Sequence, residues 1–192
     1  MATYFVPNTA FGALLGERER QAIVVPTETK SVTWLDCAET KESAPSALRE
    51  ARSAQSFKGF FLPASESIGG YGAEASASTA VQAERTVLAG LRACELRAQA
   101  YLDQVMLGGD FDDPIYQARR AAMTLVSCDC VDCAETCFCT LVGGRPFATD
   151  GFDVNLTPVD DGFMVEVATD GGQAWLRDAQ LTEATAEQVS QR

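Results

Sequence analysis

The run Thr124-Leu-Val-Ser-Cys128-Asp-Cys130-Val-Asp-Cys133-Ala-Glu-Thr-Cys137-Phe-Cys139 joins a short β-like stretch to a segment holding five of the chain's seven cysteines within twelve residues. Thiols crowd in this way when several thiolate sulfurs must converge on a soft, positively charged centre that keeps them deprotonated. The chain has no histidine. That removes Rieske centres and zinc fingers with mixed Cys and His ligands. With Ala134 after Cys133, it also removes covalent c-type haem. Four readings stay open: an iron–sulfur cluster, a four-cysteine zinc site, a thioredoxin-like dithiol at Cys130-x-x-Cys133, and disulfides. Disulfides fit poorly, because seven is odd and neighbouring cysteines would cross-link little more than their own loop.

Upstream, Thr86 to Gly90 reads as a strand. Arg92-Ala-Cys94-Glu opens a helix that continues through Leu96, Ala100, Tyr101, Val105 and Met106 and ends at Gly108-Gly109. Asp113 as N-cap and Pro114 at the first position start a second helix reaching Arg119-Arg120. Strand, two helices and strand Thr124 to Ser127 form a crossover, which makes the two strands parallel and brings their carboxyl ends to one edge. Cys94 and the cysteine loop, about 35 residues apart, are thereby expected on one rim, where ligands of α/β sheets gather. A cysteine at a helix N-terminus also has its thiolate favoured by the dipole.

The fold class expected is α/β: a small mixed sheet with flanking helices, a C-terminal β-hairpin and helix, and the cysteine-rich loop. Ala22 to Pro26 and Val32 to Leu35 read as strands joined by Thr27-Glu-Thr-Lys30. Phe11 to Arg20 and Ser43 to Arg52 read as short helices, and Gly59-Phe-Phe-Leu-Pro63 as a buried strand stopped by proline. Residues 64 to 80, with Gly69-Gly-Tyr-Gly72, form a loop that fits neither phosphate-binding glycine pattern. Phe152 to Thr157 and Gly162 to Val167 alternate as a hairpin about Pro158-Val-Asp-Asp-Gly162, and Ala174 to Val189 reads as a polar helix. Cys37, close to Trp34, reads as a small buried residue.

Length suggests one domain over residues 1–192, and 46% apolar with 22% charged residues is ordinary for a globular protein. A formal charge of −12 argues against nucleic acid and anionic membranes as partners. The first residues lack a signal-peptide pattern, and no run approaches the ~20 apolar residues of a membrane span. A cytoplasmic location with reduced thiols is expected, with no direct membrane insertion.

Several motifs in order resemble a known module. They are Gly90-Leu-Arg-Ala-Cys94-Glu-Leu, Asp113-Pro-Ile-Tyr-Gln-Ala-Arg-Arg120, Thr136-Cys-Phe-Cys-Thr140 with Gly143-Gly144 beyond, and Gly151-Phe-Asp-Val-Asn-Leu-Thr through Val165-Glu-Val. The module is the N-terminal iron–sulfur domain of the β subunit of sulfur-reducing hydrogenases, shared with anaerobic sulfite reductase, and the likeness covers about residues 57–175. Carried over, the resemblance implies Cys94, Cys130, Cys137 and Cys139 as ligands of a [4Fe–4S] cluster. Cys128 and Cys133 are additions to the family pattern: alternative ligands, a second iron centre, or inert thiols.

The function expected is that of an electron-transfer subunit of a cytoplasmic, multi-subunit anaerobic oxidoreductase, relaying electrons to ferredoxin-like or flavin-containing subunits. It would catalyse no reaction alone. Arg92 and the backbone N–H groups of residues 134–140 are candidates to tune the sulfurs, and Phe138 either excludes water or is core. The alternative is a structural four-cysteine zinc module that mediates interactions.

Overall fold

The computed structural model describes residues 3–14, 21–25, 33–36, 44–49, 56–65, 83–110, 112–177, 179 and 181–190. Cys37 and most of the glycine-rich stretch, residues 66–80, lie outside them, as does the second half of the expected 11–20 helix. The elements run β1 (Thr3–Pro7), α1 (Asn8–Leu14), β2 (Gln21–Val25), β3 (Thr33–Asp36), α2 (Ala44–Arg49), β4 (Thr86–Leu91), α3 (Ala93–Leu107), α4 (Pro114–Ala122), β5 (Met123–Cys128), β6 (Val154–Val159), β7 (Gly162–Val167), α5 (Asp170–Trp175), β8 (Thr182–Glu183) and α6 (Ala186–Ser190).

The described strands form one mixed sheet in the order β3-β2-β4-β5-β6-β7-β1-β8, so the α/β expectation holds. β2 and β3 pair as the expected hairpin, and so do β6 and β7. β4 and β5 are parallel neighbours, as the crossover requires. Asp113 caps α4 through Oδ1, which accepts from the amides of Ile115 at 2.8 Å and Tyr116 at 3.1 Å.

Alternation along the central strands divides the core between the two faces of the sheet. Val87, Ala89, Val126 and Cys128 join Leu48, Phe11 and Phe163 on one side. Leu88, Leu91 and Leu125 join Leu96 and Tyr116 on the other. Leu88 and Leu91 share a face, although three residues apart, because pairing with β5 shifts between Ala89 and Leu91. Gly90 absorbs that bulge at φ 99°, a conformation that glycine alone adopts cheaply.

Three segments differ from expectation. Residues 57–60 are not a strand but a short 3-10 helix, capped by Ser56 Oγ accepting from the Lys58 amide. The apolar content of Gly59 to Pro63 suggested β, but the buried rings, Phe57 and Phe61, lie four apart at helical spacing and meet edge-on at 6.2 Å. The expected 174–189 helix is two short helices with a strand between. Thr169 caps α5, while Thr185 and Gln188 cap α6 reciprocally, each side chain accepting from the other's amide. Thr182 and Glu183 leave the helical path to pair with Phe5 and Tyr4. β1, unread in the sequence, closes against β7 over Thr3 to Pro7.

The β1–β7 seam leaves no room at Gly162, where an added Cβ would sit 2.2 Å from the Val6 carbonyl oxygen. Gly162→Ala is therefore expected to lower stability by about 2–3 kcal/mol in calorimetric unfolding. Gly59→Ala, with nothing within 4 Å of its added Cβ, serves as the neutral control.

Candidate metal centre

The chain leaves β4 through the bulge at Gly90 and enters α3 with Arg92 in extended conformation as N-cap. The Arg92 amide donates to Glu95 Oε2 at 2.8 Å, which fixes the first turn and presents Cys94 at the carboxyl edge. The Arg92 side chain turns inward and is buried. Its Nη1 donates to the carbonyls of Cys128 at 3.1 Å and Asp129 at 3.0 Å. Its Nη2 donates to the Leu48 carbonyl at 2.9 Å. One guanidinium thus joins the start of α3, the end of β5 and α2.

Asp129 holds the loop from the other side, and sequence reasoning passed over it. Its buried carboxylate accepts from the Ala148 amide at 3.2 Å, Asn155 Nδ2 at 3.1 Å and Thr157 Oγ1 at 2.6 Å. The signal present in the sequence was the pair Asn155 and Thr157: two polar residues, one alternation apart, on a strand that is otherwise buried. Between these anchors the loop bonds to itself. The Cys130 amide donates to Pro146 O, the Cys137 amide to Ala134 O, and the Gly144 amide to Cys139 O. Of the amides proposed to tune sulfur, that of Cys137 is therefore already committed.

An open cavity of about 480 Å³ sits at this edge, and Cys94, Cys130, Cys137, Cys139, Arg92 and Phe138 all line it. Residues far apart in sequence are brought together as the crossover predicts. Cys128 and Cys133 are not on the wall. Cys128 faces the core on the α2 side, its thiol donating to the Leu48 carbonyl at 3.3 Å. Strand alternation accounts for this, since Val126 and Cys128 share one face and Leu125 takes the other. Cys133 is exposed in irregular backbone. No helix starts at Cys130, so the strand–helix setting of a thioredoxin-like pair is missing. None of the six described cysteines is in a disulfide. Phe138 is 59% exposed and is not core.

Burial raises the Cys128 thiol to about 12, despite the counteracting Arg92 charge. Cys130 is also pushed up, first by burial and then by the neighbouring Cys94, Cys137 and Cys139, with Arg92 opposing. Cys130 thus feels the other three wall cysteines, and holding several thiolates together in this way calls for a cationic centre. The donor set is all sulfur and suits iron–sulfur ligation. Among the described residues, no three Cys, Asp or Glu side chains close on a point that could hold a single ion.

A comparison with curated proteins finds sulfhydrogenase 2 subunit beta of Pyrococcus furiosus, 35% identical over 94 residues, which is 49% of this chain. The match spans 27% of that protein's length. It bears out the resemblance to β subunits of sulfur-reducing hydrogenases. No family model matches the chain, and no solved structure does. Among the described residues, no helix is long and apolar enough to cross a membrane.

Two outcomes follow from this geometry. Asp129→Ala strands three donors and is expected to cost about 3 kcal/mol in denaturant unfolding. In metal-free protein at about pH 8, iodoacetamide should modify Cys133 and Cys137 while Cys128 reacts at least about a hundredfold more slowly, as a buried thiol does; peptide mass mapping over time gives both rates.

Proposed function

We propose that this relative of sulfur-reducing hydrogenase β subunits is an electron-transfer subunit of an oxidoreductase complex, and that Cys94, Cys130, Cys137 and Cys139 hold a [4Fe–4S] cluster. The observation that carries the reading is the meeting of Cys94, from the first turn of α3, with three cysteines of the β5 loop on one cavity wall. A bound cluster would supply reversible one-electron storage. The chain's own residues supply the rest. Arg92 places positive charge beside the thiolates and holds the start of the loop, and Phe138 shields part of the mouth from water. Cys128, turned into the core, and Cys133, outside the wall, are proposed to be inert towards the cluster.

No general acid or base is needed for this task, and no substrate reaction is assigned to the chain. Its donors and acceptors are other redox subunits, ferredoxin-like or flavin-containing, in a cytoplasmic complex. The zinc alternative is less well supported. All-cysteine zinc sites usually have two Cys-x-x-Cys knuckles a dozen or more residues apart, whereas the close pairs here are Cys128-x-Cys130, half of it turned into the core, and Cys137-x-Cys139. The family-like stretch is proposed as the core of one domain.

Anaerobic reconstitution tests the assignment. Wild type should bind about four iron and four sulfide per chain, become brown, and give a reduced-state EPR signal. Cys94→Ser should lose most of that iron, while Cys128→Ala keeps it with an unchanged signal. Full iron in Cys94→Ser, or a colourless zinc protein, would overturn the reading.

A further inference from the structure

The cysteine loop has two unlike arms. The first, from Cys130 to Glu135, holds the carboxylates of Asp132 and Glu135. The second, residues 136–149, has no carboxylate in fourteen residues, in a chain with 27 Asp and Glu. It is also openly apolar: Leu141 is 86% exposed, Phe138 59%, Val142 55% and Phe147 40%. Two cations accompany it. Arg97 Nη1 donates to the Val142 carbonyl at 3.3 Å, and the Arg145 guanidinium lies over the Phe147 ring, 5.5 Å from its centroid. Phe138, Val142, Arg97 and Arg145 all stand on the wall of the thiol cavity.

Single exposed apolar side chains need no explanation, but a contiguous group of them beside a functional cavity marks an interaction surface. Its charge is opposite to that of the molecule. A protein of net charge −12 repels acidic partners over most of its surface, whereas this arm offers apolar contact flanked by two arginines. We infer that the arm from Phe138 to Phe147, with Arg97 and Arg145, is the docking face for an acidic redox protein that exchanges electrons with the centre in the cavity. The partner has an apolar patch over its own cofactor and carboxylates around it. One electron passes from the reduced to the oxidised partner, and no bond is made or broken. Asp132 and Glu135 on the opposite arm turn the acidic rim towards the arginines and so set the orientation. The inference rests on the cluster reading, since an empty cavity would have nothing to exchange.

The sign of a salt effect decides it. The probe is an acidic plant-type [2Fe–2S] ferredoxin, mixed by stopped flow with the reconstituted protein in whichever direction is downhill. Methyl viologen, a small cation, serves in parallel. If docking uses this arm, the ferredoxin rate falls as ionic strength rises from about 0.02 to about 0.3 M, because salt screens a local attraction. If the net charge governs the encounter, the rate rises over the same range, and the inference fails. Arg145→Glu is expected to slow ferredoxin exchange at low salt by more than about fivefold. Leu141→Asp should slow it similarly while leaving viologen exchange within about twofold of wild type; its side chain is solvent-exposed, so the fold is spared. Unchanged ferredoxin rates in both variants overturn the proposal. So does a homodimer in sedimentation that Leu141→Asp dissociates, since a second copy would then cover the face. Failure of the cluster reading looks different: no iron binds, and viologen exchange is absent as well.

Discussion

A guanidinium taken out of water has to find acceptors for its donors, or the fold loses several kcal/mol. Arg92 finds the carbonyls of Leu48, Cys128 and Asp129. Those oxygens belong to two stretches some 80 residues apart in sequence, and the cation stands two residues before Cys94. The same interaction therefore fixes where β5 ends, where α3 begins and how far apart their thiols stand. Asp129 completes the arrangement by tying the loop to β6 through Asn155 and Thr157. Neither charge is a surface ion pair of small value; each is held by hydrogen bonds whose loss would leave buried groups unsatisfied.

The cavity then poses an electrostatic problem that its own residues solve only in part. Four thiols share a wall, burial and mutual repulsion oppose ionisation of Cys130, and one buried arginine offsets some of that cost. Placing the thiols at the carboxyl edge puts Cys94 in the first turn of α3, where the helix dipole favours negative charge. The same edge leaves the mouth of the cavity open to solvent. Cys128 marks the limit of the site: one residue before Asp129, strand alternation turns it to the opposite face, where its raised pKa keeps it neutral.

Much of this was legible from the residues. The 86–127 crossover could be read because capping and periodicity agree along it: Asp113 and Pro114 at one helix start, Gly108 at a helix end, and apolar strands on either side. That reading placed Cys94 beside the loop. What escaped was non-local. The strand at Thr3 to Pro7 acquires its role only through β7, and Thr182-Glu183 is a strand only because β1 offers it an edge. In Gly59 to Pro63 the apolar content points to β, while the spacing of Phe57 and Phe61 carries the helical signal. Asp129 looked like one more acid in an acidic chain, because its three donors come from residues 19 to 28 positions away.

The account depends most on Cys94 sharing one centre with Cys130, Cys137 and Cys139. Anomalous diffraction at the iron edge, from crystals grown anaerobically with the reconstituted protein, measures this directly. The expected map has a single compact iron peak in contact with Sγ of all four residues, with Cys128 and Cys133 outside it. An iron peak bonded only to loop cysteines, with the Cys94 thiol free, would contradict the account.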